Sequence, residues 1–330
     1  MKNPTKEMTE LLKRSGSRQQ QEAIAAQYEL AVALQTPLRD GVMSGDNITG
    51  IFERVPIAPG AAPEFPLSFL APGTEKDFNA YTIPNHGALP ERNIEGDYVM
   101  VPTYDIGNSI HWNLKYSRDA RFDVASKAMA VLQAGFVKKM NDDGFHTLLT
   151  AGVDRNIVVY DSAASAGQFT KRLVSLMKTV MRRNGGGNST SVNRGKLTDI
   201  YLSPEGVEDI RDWDVSIVDE ITRREIFTAG DNGLNRIFNV NLHDLDELGE
   251  GQEYQNFYTG TLGASLASAD VELVVGLDLS KNDSFYMPIR EDVQIYPDEA
   301  MFRQRRAGFY SWAELGFSCL DGRRVVLGSF

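Results

Sequence analysis

Six of the chain's thirteen prolines, Pro37, Pro56, Pro59, Pro63, Pro66 and Pro72, fall within thirty-six residues. Each proline fixes φ and removes a backbone donor, so this stretch reads as neither helix nor central strand. It also carries Ile48, Ile51, Phe52, Val55, Ile57, Phe65, Leu67, Phe69 and Leu70, which is too apolar for a free linker. The expectation is an extended arm whose side chains are buried against something else. Phe52, Phe65, Phe69 and Leu70 are its candidate anchors on an adjacent copy, and Lys76 lies just beyond it. Removing residues 1–72 is then expected to leave the rest of the chain folded. Ahead of the arm, residues 1–36 are polar with a narrow apolar stripe at Leu11, Leu12, Ile24, Tyr28, Leu30, Ala31 and Leu34. That pattern predicts one or two amphipathic helices broken at Ser15-Gly16-Ser17.

Past the arm, strand-like runs at residues 80–83, 98–102 and 109–116 flank a turn-rich segment at residues 84–90. Together they predict a long two-stranded excursion over residues 74–116. The strongest helix signal follows. Phe122, Ala125, Met129, Leu132, Phe136 and Met140 recur at steps of three and four, the period of one helix face. A helix from about Ser117 to Leu149 would be roughly 45 Å long at 1.5 Å per residue. Phe136 should face the core, so Phe136→Asp should be strongly destabilising.

A second helix is predicted over 169–183, with Phe169, Leu173, Leu176, Met177 and Val180 on one face. Ser203 before Pro204 is an N-cap followed by proline at the first helical position. Further strands are expected at 197–202, 236–240, 271–277, 292–296, 309–319 and 324–327. No repeat of fixed period occurs. Arm, hairpin, long helix, mixed middle and all-β ending describe an α+β chain rather than a doubly wound sheet.

Charge narrows the function classes. The formal charge is −11, from 34 basic and 45 acidic residues. Residues 240–300 hold 13 acids against Lys281 and Arg290, which accounts for the whole −11. The last thirty residues carry five arginines against Glu314 and Asp321, a basic tail. A nucleic-acid reader would show a net basic face instead. A negative half and a basic tail could also dock head-to-tail between copies.

No run approaches the roughly 18–20 apolar residues of a membrane helix. Residues 1–7 lack the apolar region of a signal peptide, and synthesis in the cytosol is expected. The single cysteine, Cys319, allows neither an internal disulfide nor a thiolate zinc site, and it alternates with Phe317 and Leu315 as a small core residue.

Chemistry-bearing motifs fail one by one. Gly195-Lys196 would need Ser or Thr at 197 and Gly at 190 to form a phosphate loop, but those positions are Leu197 and Thr190. No GxGxxG follows a strand, and GxSxG is absent. His86, His111, His146 and His243 have no metal-pair spacing; His146 is expected to be structural and His86 to lie in a solvated turn. The acids Asp244, Asp246, Glu247, Glu250 and Glu253 could supply a carboxylate pair, but a glycine-interrupted acidic run is more often a solvated loop. Catalytic, cofactor and metal residues are therefore expected to be none.

From the long helix onward the chain resembles the major capsid proteins of tailed bacteriophages, the Hong Kong 97-type shell fold. The residues carrying the likeness are Asp199-Ile200-Tyr201-Leu202-Ser203-Pro204, Arg303–Arg306, Tyr310-Ser311-Trp312-Ala313-Glu314-Leu315-Gly316 and Arg323-Arg324-Val325-Val326-Leu327. The resemblance implies an N-terminal helix and arm over 1–73 and an extended β-hairpin loop over 74–116. It also implies a spine helix of the peripheral domain over 117–154, an axial domain over 155–285, and strands returning to the peripheral domain over 286–330. It implies a structural protein, not an enzyme, self-assembling into hexamers and pentamers of an icosahedral shell that encloses double-stranded DNA. Scaffolding, portal and decoration proteins are the further partners it implies, with the virion as location, assembly in the host cytoplasm, and no cofactor or membrane. Some such proteins carry a Lys–Asn cross-link; Lys76 has no identifiable partner here, so covalent linkage between copies is not expected. The alternatives are an encapsulin-like compartment of the same fold and, from another class, a carboxylate-dependent hydrolase. A sizing column separates the last from a shell.

Overall fold

The computed structural model describes residues 6–17, 19–45, 47–66, 98–119, 121–184, 195–213, 226, 236–268, 270–280 and 284–330. Two helices come first, α1 (Lys6–Ser15) and α2 (Gln20–Gly45), parted where the sequence predicts a break. A short 3-10 turn at Ile48–Gly50 leads to β1 (Glu53–Pro56) and β2 (Glu64–Pro66). Strands β3 (Tyr98–Met100) and β4 (Tyr104–Asn113) precede helices α3 (Leu114–Arg118) and α4 (Phe122–Asp154). The middle holds β5 (Val158–Val159), α5 (Lys171–Asn184), β6 (Asp199–Leu202) and α6 (Pro204–Asp212). Then come β7 (Arg236–Ile237), β8 (Val240–Asp244), α7 (Glu253–Asn256) and β9 (Leu273–Leu277). Strands β10 (Phe285–Pro297), β11 (Arg306–Leu315), β12 (Ser318–Cys319) and β13 (Val325–Ser329) complete the α+β order.

Helix α2 corrects one expectation, because it runs straight through Pro37. An interior proline costs roughly 3 kcal/mol in a helix. Against that, Leu30, Leu34, Leu38 and Val42 line one stripe and are each 1–2% exposed. Each such burial contributes roughly 1.5–3 kcal/mol, so the stripe outweighs the lost bond. A second correction lies at the end of β4. The strand expected to reach Tyr116 stops at Asn113, whose side chain accepts from the Lys115 amide at 2.9 Å and caps α3.

The described residues fall into two compact units. The first takes its residues from 6–64, 100–144 and 286–317. Its sheet has the order β1-β10-β11-β4, with β1 parallel to β10 and the other pairs antiparallel. Along β11, Ala307, Phe309, Ser311, Ala313 and Leu315 are buried while Tyr310, Trp312 and Glu314 face outward, the period of a sheet with one wet face. Across the ladder Phe309 pairs with Ile110 and Ala307 with Trp112, and the Trp112 and Phe309 rings sit 5.5 Å apart. Helix α4 meets this sheet where Gly135 faces Asn108. The predicted stripe is present: Ala125, Met129, Leu132, Phe136 and Met140 are all buried. At Gly144 a side chain would come within 2.5 Å of Ile48 Cδ1, so only glycine lets the segment after α2 lie this close to α4.

The second unit draws on residues 65–66, 98–99, 145–285 and 318–330. Its sheet runs β5-β13-β9-β6-β8-β7. Strands β6 and β8 are parallel, whereas β9 is antiparallel to both β6 and β13. Helix α5 covers the sheet with Leu173, Val174, Met177 and Met181, joined by Phe169 and Phe330 in one core cluster. Ser203 caps α6 as the sequence predicts, its hydroxyl accepting from the Gly206 amide at 3.1 Å. The return expected over 286–330 divides: residues 318–330 group with the second unit, because β13 is held between β5 and β9 by its backbone ladder.

Candidate functional site

Two of the arm's expected anchors are already buried within their own chain. Phe52 is 2% exposed and stands edge-on to Phe317, ring centroids 5.3 Å apart; Phe65 is 6% exposed. Neither ring is open to a neighbour, which corrects the reading of these two as surface anchors. Ile48 and Ile51, close to Phe52 in sequence, are buried as well, so this part of the arm belongs to the first unit's core, while Phe65 groups with the second unit. Removing residues 1–72 would strip that core, contrary to the expectation that the rest of the chain carries its own. Phe69, Leu70 and Lys76 lie outside the described residues, as does His86.

Several titratable groups that could carry chemistry are engaged in packing. His243 Nε2 lies 2.8 Å from Asp199 Oδ1, and Asn241 donates to the same oxygen at 2.9 Å. These groups meet because the parallel strands pair Asp199 with Asn241 and Tyr201 with His243. Burial alone would raise the Asp199 carboxyl, but hydrogen bonds from His243, Asn241 and Thr198 hold it below the ordinary range. His146 stacks on Phe257 at 3.7 Å and meets Tyr254 edge-on at 5.8 Å. Cys319 is pushed up to about 12 by burial and by Asp321, which makes its thiol a poor nucleophile.

Asp278 is fully buried and pairs with Arg324, and it also accepts from the Lys196 amide at 2.8 Å and the Ser280 amide at 3.0 Å. Arg323 chelates Asp321, so two of the five arginines of the basic tail are neutralised within the chain. Arg303, Arg305 and Arg306 remain exposed. Among the described residues no group of three or more His, Cys, Asp or Glu side chains could hold a metal ion, and no helix is long and apolar enough to cross a membrane.

What remains is surface. On the outer face of the first unit's sheet, Tyr296, Tyr310 and Trp312 form a ladder with centroids 5.3–5.8 Å apart, and Trp312 is 44% exposed. On the second unit lies a cleft of about 890 Å³ walled by the last turns of α5, by residues 195–198 and by Asn239. Its cations are Lys178, Arg182, Arg183 and Lys196, with the hydroxyls of Ser175 and Thr179 beside them, and among the described residues no Asp or Glu lines it. The β7–β8 hairpin tip at its rim has Phe238 at φ 50° and Asn239 at φ 61°, both left-handed, and the Phe238 carbonyl accepts from Lys178 Nζ at 2.7 Å. Sequence reading missed this cleft. The i, i+4 spacing of Lys178 and Arg182 was a signal, but the third wall arrives from residues far along the chain.

No family model and no curated protein matches the sequence. Solved structures do match over most of its length. The chain is similar to a structure from Microbacterium phage Oxtober96, with a TM-score of 0.57 and 10% identity, covering 87% of this chain and 90% of that one. It is also similar to the capsid of an empty GTA particle, with a TM-score of 0.56 and 14% identity over 87% and 90% of the two chains. The capsid of cyanophage Pam1 gives a TM-score of 0.53 and 15% identity over 82% and 85%. At such identities the likeness defines a fold. This chain has the Hong Kong 97-type capsid fold, a mixed helix-and-sheet architecture.

Proposed function

We propose that this chain is a structural major capsid protein, assembling through copies of itself into hexamers and pentamers of a closed shell around double-stranded DNA. The observation that carries the reading is the fold correspondence along 82–87% of the chain with structures named as the capsids of cyanophage Pam1 and of an empty GTA particle. Two features support it. The Asp199–His243 and Asp278–Arg324 pairs are tied up in strand pairing and core packing. The half-exposed Tyr296–Tyr310–Trp312 ladder is the kind of rigid aromatic surface that anchors protein contacts. In this reading the first unit serves as the peripheral domain and the second as the axial domain. Phe69, Leu70 and Lys76 are retained as candidates for contacts between copies. The virion is the location, and scaffolding, portal and decoration proteins are the further partners.

Electron microscopy of the expressed full chain tests this directly. Closed particles or five- and six-membered rings are the expected result, with nuclease-protected DNA in particles taken from an infected host. A monomer or small oligomer at every concentration and salt would refute the reading. Shells that hold a protein cargo and no DNA would replace it with the compartment alternative.

A further inference from the structure

The cleft on the second unit has a counterpart on the same sheet. Strands β6 and β8 run parallel, pairing Asp199 with Asn241 through Leu202 with Asp244. Lys196 and Asn239, at the basic cleft, precede the two strands. Glu205, Asp246 and Glu250 follow them, and all three are exposed. At that far end Asp244 is raised by burial and by the charges of Asp246 and Glu205, with Arg211 opposing; Glu272 is raised by burial and by Glu205, Asp209 and Glu250. Arg211 itself is paired with Glu208. The acids are thus close enough to repel one another, and Arg211, the Leu245 amide and the Ser203 hydroxyl oppose only part of that repulsion.

From Thr198 to Ser203 is five residues, roughly 17 Å at about 3.3 Å per residue. That exceeds the screening length of about 10 Å at 0.1 M salt, so the cations at one end cannot neutralise the acids at the other within one copy. The charges are also placed on opposite ends of a rigid strand pair. A surface whose complement is elsewhere on the same molecule makes a head-to-tail contact, which closes into a ring when the rotation allows.

We infer that the basic cleft formed by Lys178, Arg182, Arg183 and Lys196 receives the acidic end of β6 and β8, carrying Glu205, Asp246 and Glu250, from a second copy of this chain. The inference rests on the self-assembly proposed above and names the charge contact between neighbours in a ring. The left-handed Phe238–Asn239 tip fits this role, since strain of this kind persists where surrounding contacts fix a rim in place. A nucleic-acid backbone is the competing occupant for such a cleft. The chain's net charge of −11 opposes it, while the same charge supplies the acids for the contact between copies.

The test uses two charge reversals in the full chain, Arg182→Glu with Arg183→Glu, and Asp246→Lys with Glu250→Lys. All four side chains are exposed, and melting temperatures confirm that each variant folds. Each variant alone should need about tenfold more protein to assemble, a factor that corresponds to about 1.4 kcal/mol. Mixing the two variants should restore assembly, because each then offers the partner the other lacks. The restored rings must alternate, so hexamers should return and pentamers should not. Normal assembly by either variant alone, or no rescue on mixing, overturns the inference while leaving the capsid reading intact. Cation-reversed shells that assemble normally but lose protected DNA overturn it in favour of the nucleic acid. Failure of the unmodified chain to assemble would remove both.

Discussion

The two sheets of this chain are buried in different ways. In the first unit, β4, β10 and β11 run ten to thirteen residues and alternate between buried and solvent-facing positions. In the second, β6, β9 and β13 are four or five residues long and buried at every position. A long strand with one wet face offers side chains that fold does not need, and Tyr296, Tyr310 and Trp312 stand there. A short strand buried on both faces has no such positions. The second unit therefore meets solvent through its helices, loops and strand ends rather than along these strands. The contrast implies that equivalent substitutions should cost far more in the second unit.

Its ion pairs give the largest effect. Asp278→Ala leaves Arg324 buried without its carboxylate and removes an acceptor from the Lys196 and Ser280 amides. The expected loss is about 3–5 kcal/mol, seen as a lower denaturant midpoint. In the first unit Arg290 pairs with Glu314 at 3.4 Å and both side chains are a quarter or more exposed. Arg290→Ala should cost about 1 kcal/mol or less. Equal losses from the two changes would break the contrast.

Glycines in the two sheets give an intermediate effect with a change of sign. At Gly276 in β9 a methyl group would meet Leu197 Cδ1 and Val326 Cγ1 at 2.8 Å and Met177 Cε at 2.9 Å. Gly276→Ala should therefore destabilise by about 1–3 kcal/mol through overpacking. At Gly107 in β4 the nearest atom is the Ser311 carbonyl oxygen at 3.5 Å, an ordinary contact. Gly107→Ala should stabilise by about 0.5 kcal/mol, because alanine has less backbone freedom to lose. Thermal unfolding of the pair decides this, and a stable Gly276→Ala protein would mean that the second unit's core is looser than its geometry indicates.

The same contrast explains what could be read from the sequence. The α4 stripe and the Ser203-Pro204 cap were legible because their signals are local: a helical period, and a hydroxyl next to the amides it caps. The continuation of α2 through Pro37 was not, because the penalty is local while the compensating burial of Leu38 and Val42 is tertiary. The same holds for Phe52, whose burial depends on Phe317. The β7–β8 turn lacks the Asn-Gly or Asp-Gly pair that marks such hairpins, and places Phe238 and Asn239 in left-handed conformations. Lys178, sixty positions away, holds the turn's carbonyl. The basic cleft was hidden for the same reason, and the overall negative charge concealed it further. The fold itself was legible in its order of elements, which survives where residue motifs do not.

A pH-dependent effect comes from Glu272, a buried carboxyl in the second unit that accepts from the Ser203 hydroxyl. Burial raises it most, the charges of Glu205, Asp209 and Glu250 raise it further, and Ser203 opposes them. A folded-state value above the unfolded one means that folding favours the protonated form. Its contribution to stability is complete below the unfolded value of about 4.3 and is lost as pH rises through the higher folded value. At pH 7 the ionised group is therefore a burden, and Glu272→Gln, neutral at every pH and still able to accept from Ser203, should melt about 2–4 °C higher, the shift for about 1 kcal/mol. The advantage should shrink steadily as pH falls and vanish near pH 4. Glu53→Gln, at an exposed position of β1 in the first unit, should change stability by about 0.5 kcal/mol or less at any pH. Melting curves from pH 4 to 8 on both variants separate the cases. A Glu272→Gln protein less stable than the parent at pH 7 would mean that the carboxylate is needed in its charged form, and the second unit's acids would then be held by contacts rather than left in mutual repulsion.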